Sequence, residues 1–425
     1  MYQQSVVNGA RNNPCNPCAN DPLYNPPPCP PQPCPPCQPR SPKNKCKCKK
    51  CCALPLPPPC EPPRDPCPLK SFCDPGLTNT CVGRPIINPN GPRHSVTTWK
   101  VNLLISNKNG LAANSDADLI NPWGIAVYNN QLFVVNGTTD SITNYDLFGN
   151  KIGSSLTVRD AAHNSAFPTG IAINCASAFA VSAGTQIKSA LFLTASELGT
   201  VHAFNPLINN FASILVLNQR LTGEVAVYRG LAIANGVLYL ADFKYQHIDV
   251  FDSSFNRLLG FHFIDGDTSD PIPLDFTNNN IVHIGCYMYI LYARKDPVVP
   301  INDLDGPSNG YISVFNLDGS FVRRFTSRGV LNSPWAMIPA PCECGFPPGS
   351  FLVGNNGDGR INIFDCNGRY VGPLLAQSGL PVSLPGLWGL APHYTDFSEI
   401  FFAQSPDEDE TGFVGSLTRD QIIQF

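Results

Sequence analysis

One phrase recurs six times along the chain and constrains its fold more than any other feature. It reads Asn121-Pro122-Trp123-Gly124-Ile125-Ala126, Phe167-Pro168-Thr169-Gly170-Ile171-Ala172, Tyr228-Arg229-Gly230-Leu231-Ala232, Asn279-Asn280-Ile281-Val282, Ser333-Pro334-Trp335-Ala336-Met337 and Leu387-Trp388-Gly389-Leu390-Ala391. With Gly124, Gly170, Gly230, Asn280, Ala336 and Gly389 as anchors, the spacings are 46, 60, 50, 56 and 53 residues. Trp123, Trp335 and Trp388, three of the four tryptophans, share one repeat position. A period of this size marks units that bury their apolar faces by packing against their neighbours.

Each anchor is followed by short β-branched or aromatic runs separated by Asn, Asp and Gly turns, which read as strands. Second strands are expected at 131–136, 190–194, 237–242, 288–292, 351–355 and 400–403. Third strands follow at 142–149, 201–205, 248–252, 311–319 and 361–368, and a fourth is expected as at 321–325. The Asn/Asp-Gly pairs that end several third strands suit tight hairpins. Six units of about 50 residues with four strands each predict an all-β six-bladed β-propeller over 95–425. The last unit supplies three strands, around Gly389, Phe401 and 413–417, and then ends. Residues 99–105, left over at the start, would become its outer strand and close the ring, which removes two exposed sheet edges.

Residues 1–92 are a different material, holding 25 of the 43 prolines and 13 of the 18 cysteines. They carry a charge of +6, leaving −10 on the rest of a chain whose total is −4. Proline removes backbone donors and fixes φ, so this stretch is expected to be a solvated, disordered Cys/Pro-rich tail with polyproline character. Three readings of its cysteines stay open. Cys15 and Cys18 have the C-x-x-C spacing of zinc ligands, as do Cys34 and Cys37, and Cys46, Cys48, Cys51 and Cys52 follow among lysines. Against zinc, proline at the intervening positions removes the N–H groups that support thiolates. Together with Cys29, Cys60, Cys67, Cys73 and Cys81 the tail cysteines form an odd set, which suits intermolecular disulfides. The third reading is a reduced linker. Arg40, Lys43, Lys45, Lys47, Lys49 and Lys50 form a basic run without aromatic residues, so specific nucleic-acid binding by base stacking is not expected. No apolar stretch is long enough to span a membrane, and the first residues lack the apolar core of a signal peptide.

The propeller half offers few catalytic sets. Its histidines show neither HExxH spacing nor a nucleophile elbow, and His202 and His247 read as structural. Asn355-Asn356-Gly357-Asp358-Gly359-Arg360 is the most specific loop motif, with its glycines expected at positive φ and Asp358 facing Arg360. Asp303 and Asp305, with Asp318, are grouped as a second oxygen-rich set, and 405–410 is an acidic loop. Such loops could hold Ca²⁺, but neither has EF-hand spacing. Cys342 and Cys344 could join the tail's metal or disulfide chemistry, and Cys175, Cys286 and Cys366 read as small buried hydrophobes. Asn136-Gly137-Thr138 matches a glycan acceptor, a match that means little without a signal peptide.

Residues 95–425 resemble a family of uncharacterised six-bladed propellers distantly related to NHL-repeat propellers. The resemblance rests on 121–126, 303–307, 331–335, Val353-Gly354-Asn355-Asn356-Gly357-Asp358-Gly359-Arg360, 386–389 and 412–417. It implies fold and no chemistry. Gluconolactonase-like enzymes share the blade number and hold a divalent cation with a Glu, Asn, Asn and Asp shell; near Asn121, where their Glu would fall, there is none. The tail resembles the Cys-rich segments of virion proteins from giant, mimivirus-like viruses of amoebae. That resemblance implies a virion component assembled in host cytoplasm, with other virion or surface-layer proteins as partners. The expectation is a non-enzymatic structural or interaction protein that requires no cofactor. The alternatives are a ligand- or carbohydrate-binding or lactonase-like propeller with Ca²⁺ at the channel mouth, and a Zn²⁺-binding interaction tail.

Overall fold

The computed structural model describes residues 95–159, 165–175, 177–208, 212–219, 225–341, 346–347, 349–393, 399–407 and 410–424. The tail cysteines proposed as disulfide or metal candidates lie outside them: Cys15, Cys18, Cys29, Cys34, Cys37, Cys46, Cys48, Cys51, Cys52, Cys60, Cys67, Cys73 and Cys81. Cys342 and Cys344 lie outside them as well.

The described chain is an all-β six-bladed propeller without helices. Blade 1 is built from Pro122–Tyr128, Gln131–Asn136, Ser141–Asp146 and Leu156–Thr157. Blade 4 runs Phe276–Ile284, Tyr287–Arg294, Gly310–Asn316 and Phe321–Ser327, and blade 5 runs Pro334–Pro339, Phe351–Asn355, Ile361–Phe364 and Tyr370–Pro373. Strands within each blade pair antiparallel in sequence order, from the axis outward.

Closure follows the expected design with a longer strand. Ser95–Ser106, and not 99–105 alone, pairs antiparallel with Phe413–Gln424 as the outer strand of blade 6. Asn114–Ser115 then adds in parallel outside it. First and last segments thus share one sheet, so the ring opens only by breaking a full ladder.

Two blades depart from the four-strand plan. Blade 3 holds three strands among the described residues, Tyr228–Ala234, Val237–Asp242 and His247–Phe251. Beyond them an extended segment crosses to blade 4: Phe261 and Phe263 pack on Tyr239 of blade 3, Phe263 also lies 5.5 Å from Phe315 of blade 4, and Asp265 pairs with Arg324 at 2.7 Å. Blade 2 carries an extra hairpin, Ala180–Ala183 with Gln186–Ser189. Its second strand therefore starts at Phe192, because Ala190 N–H is already committed to Phe179 O at 2.9 Å.

The expected tight hairpins are three-residue loops instead. Gly149 donates to Asp146 O and takes φ 86°, while Asp146 N–H closes on Asn150 O. Gly319 and Gly368 repeat this geometry. The glycine thus fills the left-handed position of a bulged loop, not the centre of a two-residue turn. In blade 3 Phe255 occupies that position at φ 64°, and its ring packs 5.5 Å from Phe179 of blade 2.

The core lies between blades. Phe133 and Val135 of blade 1 pack with Phe192 and Phe204 of blade 2, and Tyr289 of blade 4 packs with Phe351 of blade 5. Each fully buried Leu, Val or Phe contributes roughly 1.5–3 kcal/mol. The anchor glycines allow this approach. A Cβ on Gly124 would sit 2.8 Å from Thr169 O, and one on Gly389 would sit 2.6 Å from Trp123 O.

Candidate functional site

All six inner strands carry a β-bulge at one place. The ladder skips between Tyr228 and Gly230, Asn278 and Asn280, Pro334 and Ala336, and Leu387 and Gly389. The extra residues are Arg229, Asn279, Trp335 and Trp388. Comparable skips take in Trp123 in blade 1 and Thr169 in blade 2. A bulge re-aims one side chain, and here it directs side chains from non-neighbouring blades onto the axis.

Trp123 and Trp388 stack with ring centroids 3.5 Å apart. Trp335 of blade 5 stands edge-on to both, at 6.3 Å and 5.9 Å. Blade 6 separates blades 1 and 5, so this contact joins blades that are not neighbours. Trp123 Nε1 donates to Asn121 Oδ1 at 2.9 Å. Stacked and edge-on aromatic pairs add roughly 0.5–1.5 kcal/mol each beyond their buried area.

Arg229 closes the other half. Its guanidinium lies 5.7 Å from the Trp123 ring and 3.9 Å from that of Phe243. Nε donates to Glu197 at 3.2 Å, Nη1 to Asp303 at 2.6 Å and to Asn279 at 3.3 Å, and Nη2 to Ile301 O at 2.9 Å. Asn279 Nδ2 donates to Pro334 O, and Thr169 Oγ1 to Tyr228 O. The starts of the inner strands thus meet in a plug joined by these hydrogen bonds, in which Trp335 Nε1 and Asp303 Oδ2 have no hydrogen-bond partner among the described residues.

Backbone strain surrounds the plug. Asn121, Phe167 and Ser333, which open inner strands, take φ of 52°, 50° and 46°. Left-handed φ at non-glycine residues costs on the order of 1 kcal/mol or more each.

The loop candidates meet this site unevenly. Asp303 reaches Arg229, whereas Asp318 caps its own turn through Ser320 at the opposite end of the Gly310–Asn316 strand. The expected grouping of Asp303 with Asp318 is therefore wrong, because the strand between them separates their turns. Asp305 approaches the 355–360 loop instead: a Cβ on Gly357 would fall 2.5 Å from its Oδ1 and 2.2 Å from Asn332 Oδ1. Gly359 has the expected positive φ of 65°, but Gly357 is needed for space. Asp358 Oδ1 accepts from Asn355 Nδ2 and Arg360 N–H, both at 3.1 Å, while the Arg360–Asp358 ion pair is loose at 3.9 Å. Asn356 Nδ2 donates to Leu387 O at 3.4 Å. The loop's polar side chains thus shape a turn against blade 6.

Other expectations are corrected as well. Cys175, Cys286 and Cys366 are partly exposed thiols rather than buried ones, and burial still pushes Cys175 up to about 12. Asn136 is buried on Ser141 and Thr143, which removes it as a glycan acceptor. His202 is buried on Thr200, as a structural histidine should be. His247 is hydrogen-bonded too, with its Nε2 3.1 Å from Asp249 Oδ1 and 3.8 Å from Asp242 Oδ2. Glu197 and Arg229 escaped the sequence reading. The signal was an Arg at the position where three other repeats have Trp.

The strand-closed ring and these contacts define a six-bladed β-propeller with its own side chains packed together where the inner strands start. No family model matches the chain. It is 66% identical over 366 residues to uncharacterized protein L690 of Acanthamoeba polyphaga mimivirus, covering 86% of this chain and 98% of that protein. It is 64% identical over 362 residues to uncharacterized protein R648 of the same virus, covering 85% and 90%. The chain belongs to this family of mimivirus propeller proteins. A solved Bacteroides thetaiotaomicron protein of unknown function matches with a TM-score of 0.50 at 13% identity, over 76% of each chain, a likeness of fold alone. Among the described residues no helix is long and apolar enough to cross a membrane.

Proposed function

We propose that the protein is a non-enzymatic structural component of the virion. Its rigid propeller presents a binding surface, and its Cys-rich tail anchors it by disulfides to other virion or surface-layer proteins. The observation that carries this reading is the plug. In a propeller the axial mouth is where loops from all blades converge on a ligand, and here that place is taken by three packed indoles and a hydrogen-bonded guanidinium. The 13 cysteines in 92 residues supply the anchor, and the mimivirus relatives supply the setting.

The test is extraction of purified particles whose thiols were blocked at lysis. Release only with reductant, together with disulfide-linked tail peptides from a second protein, is the expected result. Equal release with and without reductant, or zinc held at one ion per four thiols, overturns covalent anchoring. Binding of a sugar or lactone at the axis would favour a ligand-binding propeller instead.

A further inference from the structure

The blades provide an internal control for one cluster that the reading above does not use. At the end of each second strand and the start of each third, three side chains share one register. Blade 1 places Asn136, Ser141 and Thr143 there. Blade 2 places Ser196, Thr200 and His202 there. Those sets are uncharged apart from one buried imidazole, and their hydroxyls and amides bond one another. Blade 3 replaces them with Asp242, His247 and Asp249. Burying two carboxylates in a place that blades 1 and 2 fill with hydroxyls, an amide and an imidazole is costly unless a cation compensates them.

We propose that Asp242, His247 and Asp249 form a binding site for a zinc-class divalent cation. One atom from each side chain can be chosen so that all three lie within 4.8 Å of one another. A contraction brings them to the roughly 2.0–2.2 Å ligand distances of zinc. His247 Nε2 is 3.1 Å from Asp249 Oδ1 and 3.8 Å from Asp242 Oδ2.

The second observation is an orphan aimed into the cluster. Asp242 is 1% exposed, and its Oδ2 has no hydrogen-bond partner. Its other oxygen accepts from the backbone N–H groups of Val227, Lys244 and Tyr245. That fixes the carboxylate with Oδ2 turned towards His247. Outer contacts orient the remaining ligands. Tyr228 O–H donates to Asp249 Oδ2 at 2.6 Å, and His247 makes a further hydrogen bond with the Tyr245 backbone. Such partners select which ligand atom faces a metal.

Arg257 now pairs with Asp249 Oδ1. Its side chain is half exposed on the loop after the strand, so it can swing into solvent when a dication takes its place. One nitrogen and two oxygens suit zinc, or cobalt in its place, better than calcium, which takes six to eight oxygens. The half-exposed side of His247 leaves a coordination position for water.

The experiment uses the full chain with its thiols alkylated under native conditions, so that the tail cannot bind zinc. Zn²⁺ is titrated calorimetrically into metal-free protein, and Co²⁺ is followed by its visible spectrum. The expected result is one saturable site, weakened tenfold or more in His247→Ala and in Asp249→Asn, and tightened in Arg257→Gln. Zn²⁺ should raise the thermal midpoint of the unaltered chain and not that of His247→Ala. His247 is partly exposed, so that variant is expected to keep the wild-type circular dichroism. Absence of saturable binding, or equal affinity in His247→Ala, overturns the proposal.

Discussion

The six bulged positions around the axis divide into two halves. Blades 5, 6 and 1 supply Trp335, Trp388 and Trp123, while blades 2, 3 and 4 supply Thr169, Arg229 and Asn279. The aromatic half fills space by contact and needs little direction. The polar half fills it through hydrogen bonds, each fixed in geometry and each leaving an unmet charge or dipole if a partner is lost. The aromatic half also spans the seam. Trp123 and Trp388 belong to the first and last inner strands, and their stacking adds to the terminal ladder in closing the ring. One backbone device, a bulge before a small residue, thus serves two kinds of closure.

The largest expected effect comes from breaking the aromatic half. Trp388→Ala removes a stacked partner and an edge-on partner at once and should cost about 4 kcal/mol, as large-to-small changes of buried indoles do. Urea unfolding would measure it, and a cost below about 1 kcal/mol would show that the stack is not needed for closure.

Breaking the polar half should come next. Arg229→Met leaves Asp303 buried without its cation and should cost about 3 kcal/mol. Adding Asp303→Asn removes the stranded charge and should recover most of the loss. If the double variant is as unstable as the single one, the packing of Arg229 on Phe243 and Trp123 outweighs its charge.

The boundary between halves can be sharpened at Gly230. A Cβ there would fall 1.8 Å from Asn280 Oδ1, and Asn280 Nδ2 donates to Trp335 O at 2.7 Å. Gly230→Ala should cost about 2 kcal/mol by overpacking. Asn280→Gly in the same chain should return part of it, since the collision is with that side chain. Equal instability of both variants would place the strain in the backbone.

The most gradual effect is one of pH and belongs to blade 4, in the polar half. Burial lowers His283 to about 4, and its Nε2 has no partner. As pH falls below the ordinary 6.5 the unfolded chain takes up a proton that the folded chain refuses. Stability is therefore full above 6.5 and is lost as pH falls towards 4, by at most about 1.4 kcal/mol per pH unit for one group. The slope from unfolding at pH 7 and pH 5 should shrink in His283→Gln, and an unchanged slope would assign it to other groups.

The repeat was legible because it is written in the sequence at full length. Trp123, Trp335 and Trp388 recur in phase, and the glycine anchors mark where inner strands approach. Closure was legible too, since a unit with three strands and an unused leading strand admit one solution. Blade 3 was less legible. Phe255 stands where blades 1, 4 and 5 have Gly, and the segment carrying Phe261 and Phe263 alternates like a strand without joining a ladder.

The site was legible in pieces. Asp303 was singled out, but its partner Arg229 lies 74 residues earlier, in another blade. Asp242 and Asp249 were not singled out in the sequence, and His247 read as a structural histidine. Sequence by itself determined the period, the blade number and the closing strand, because those depend on local pattern and on the count of units. Tertiary structure decided what occupies the axis and where two buried carboxylates meet an imidazole. Both depend on bulges and between-blade distances that no local pattern encodes.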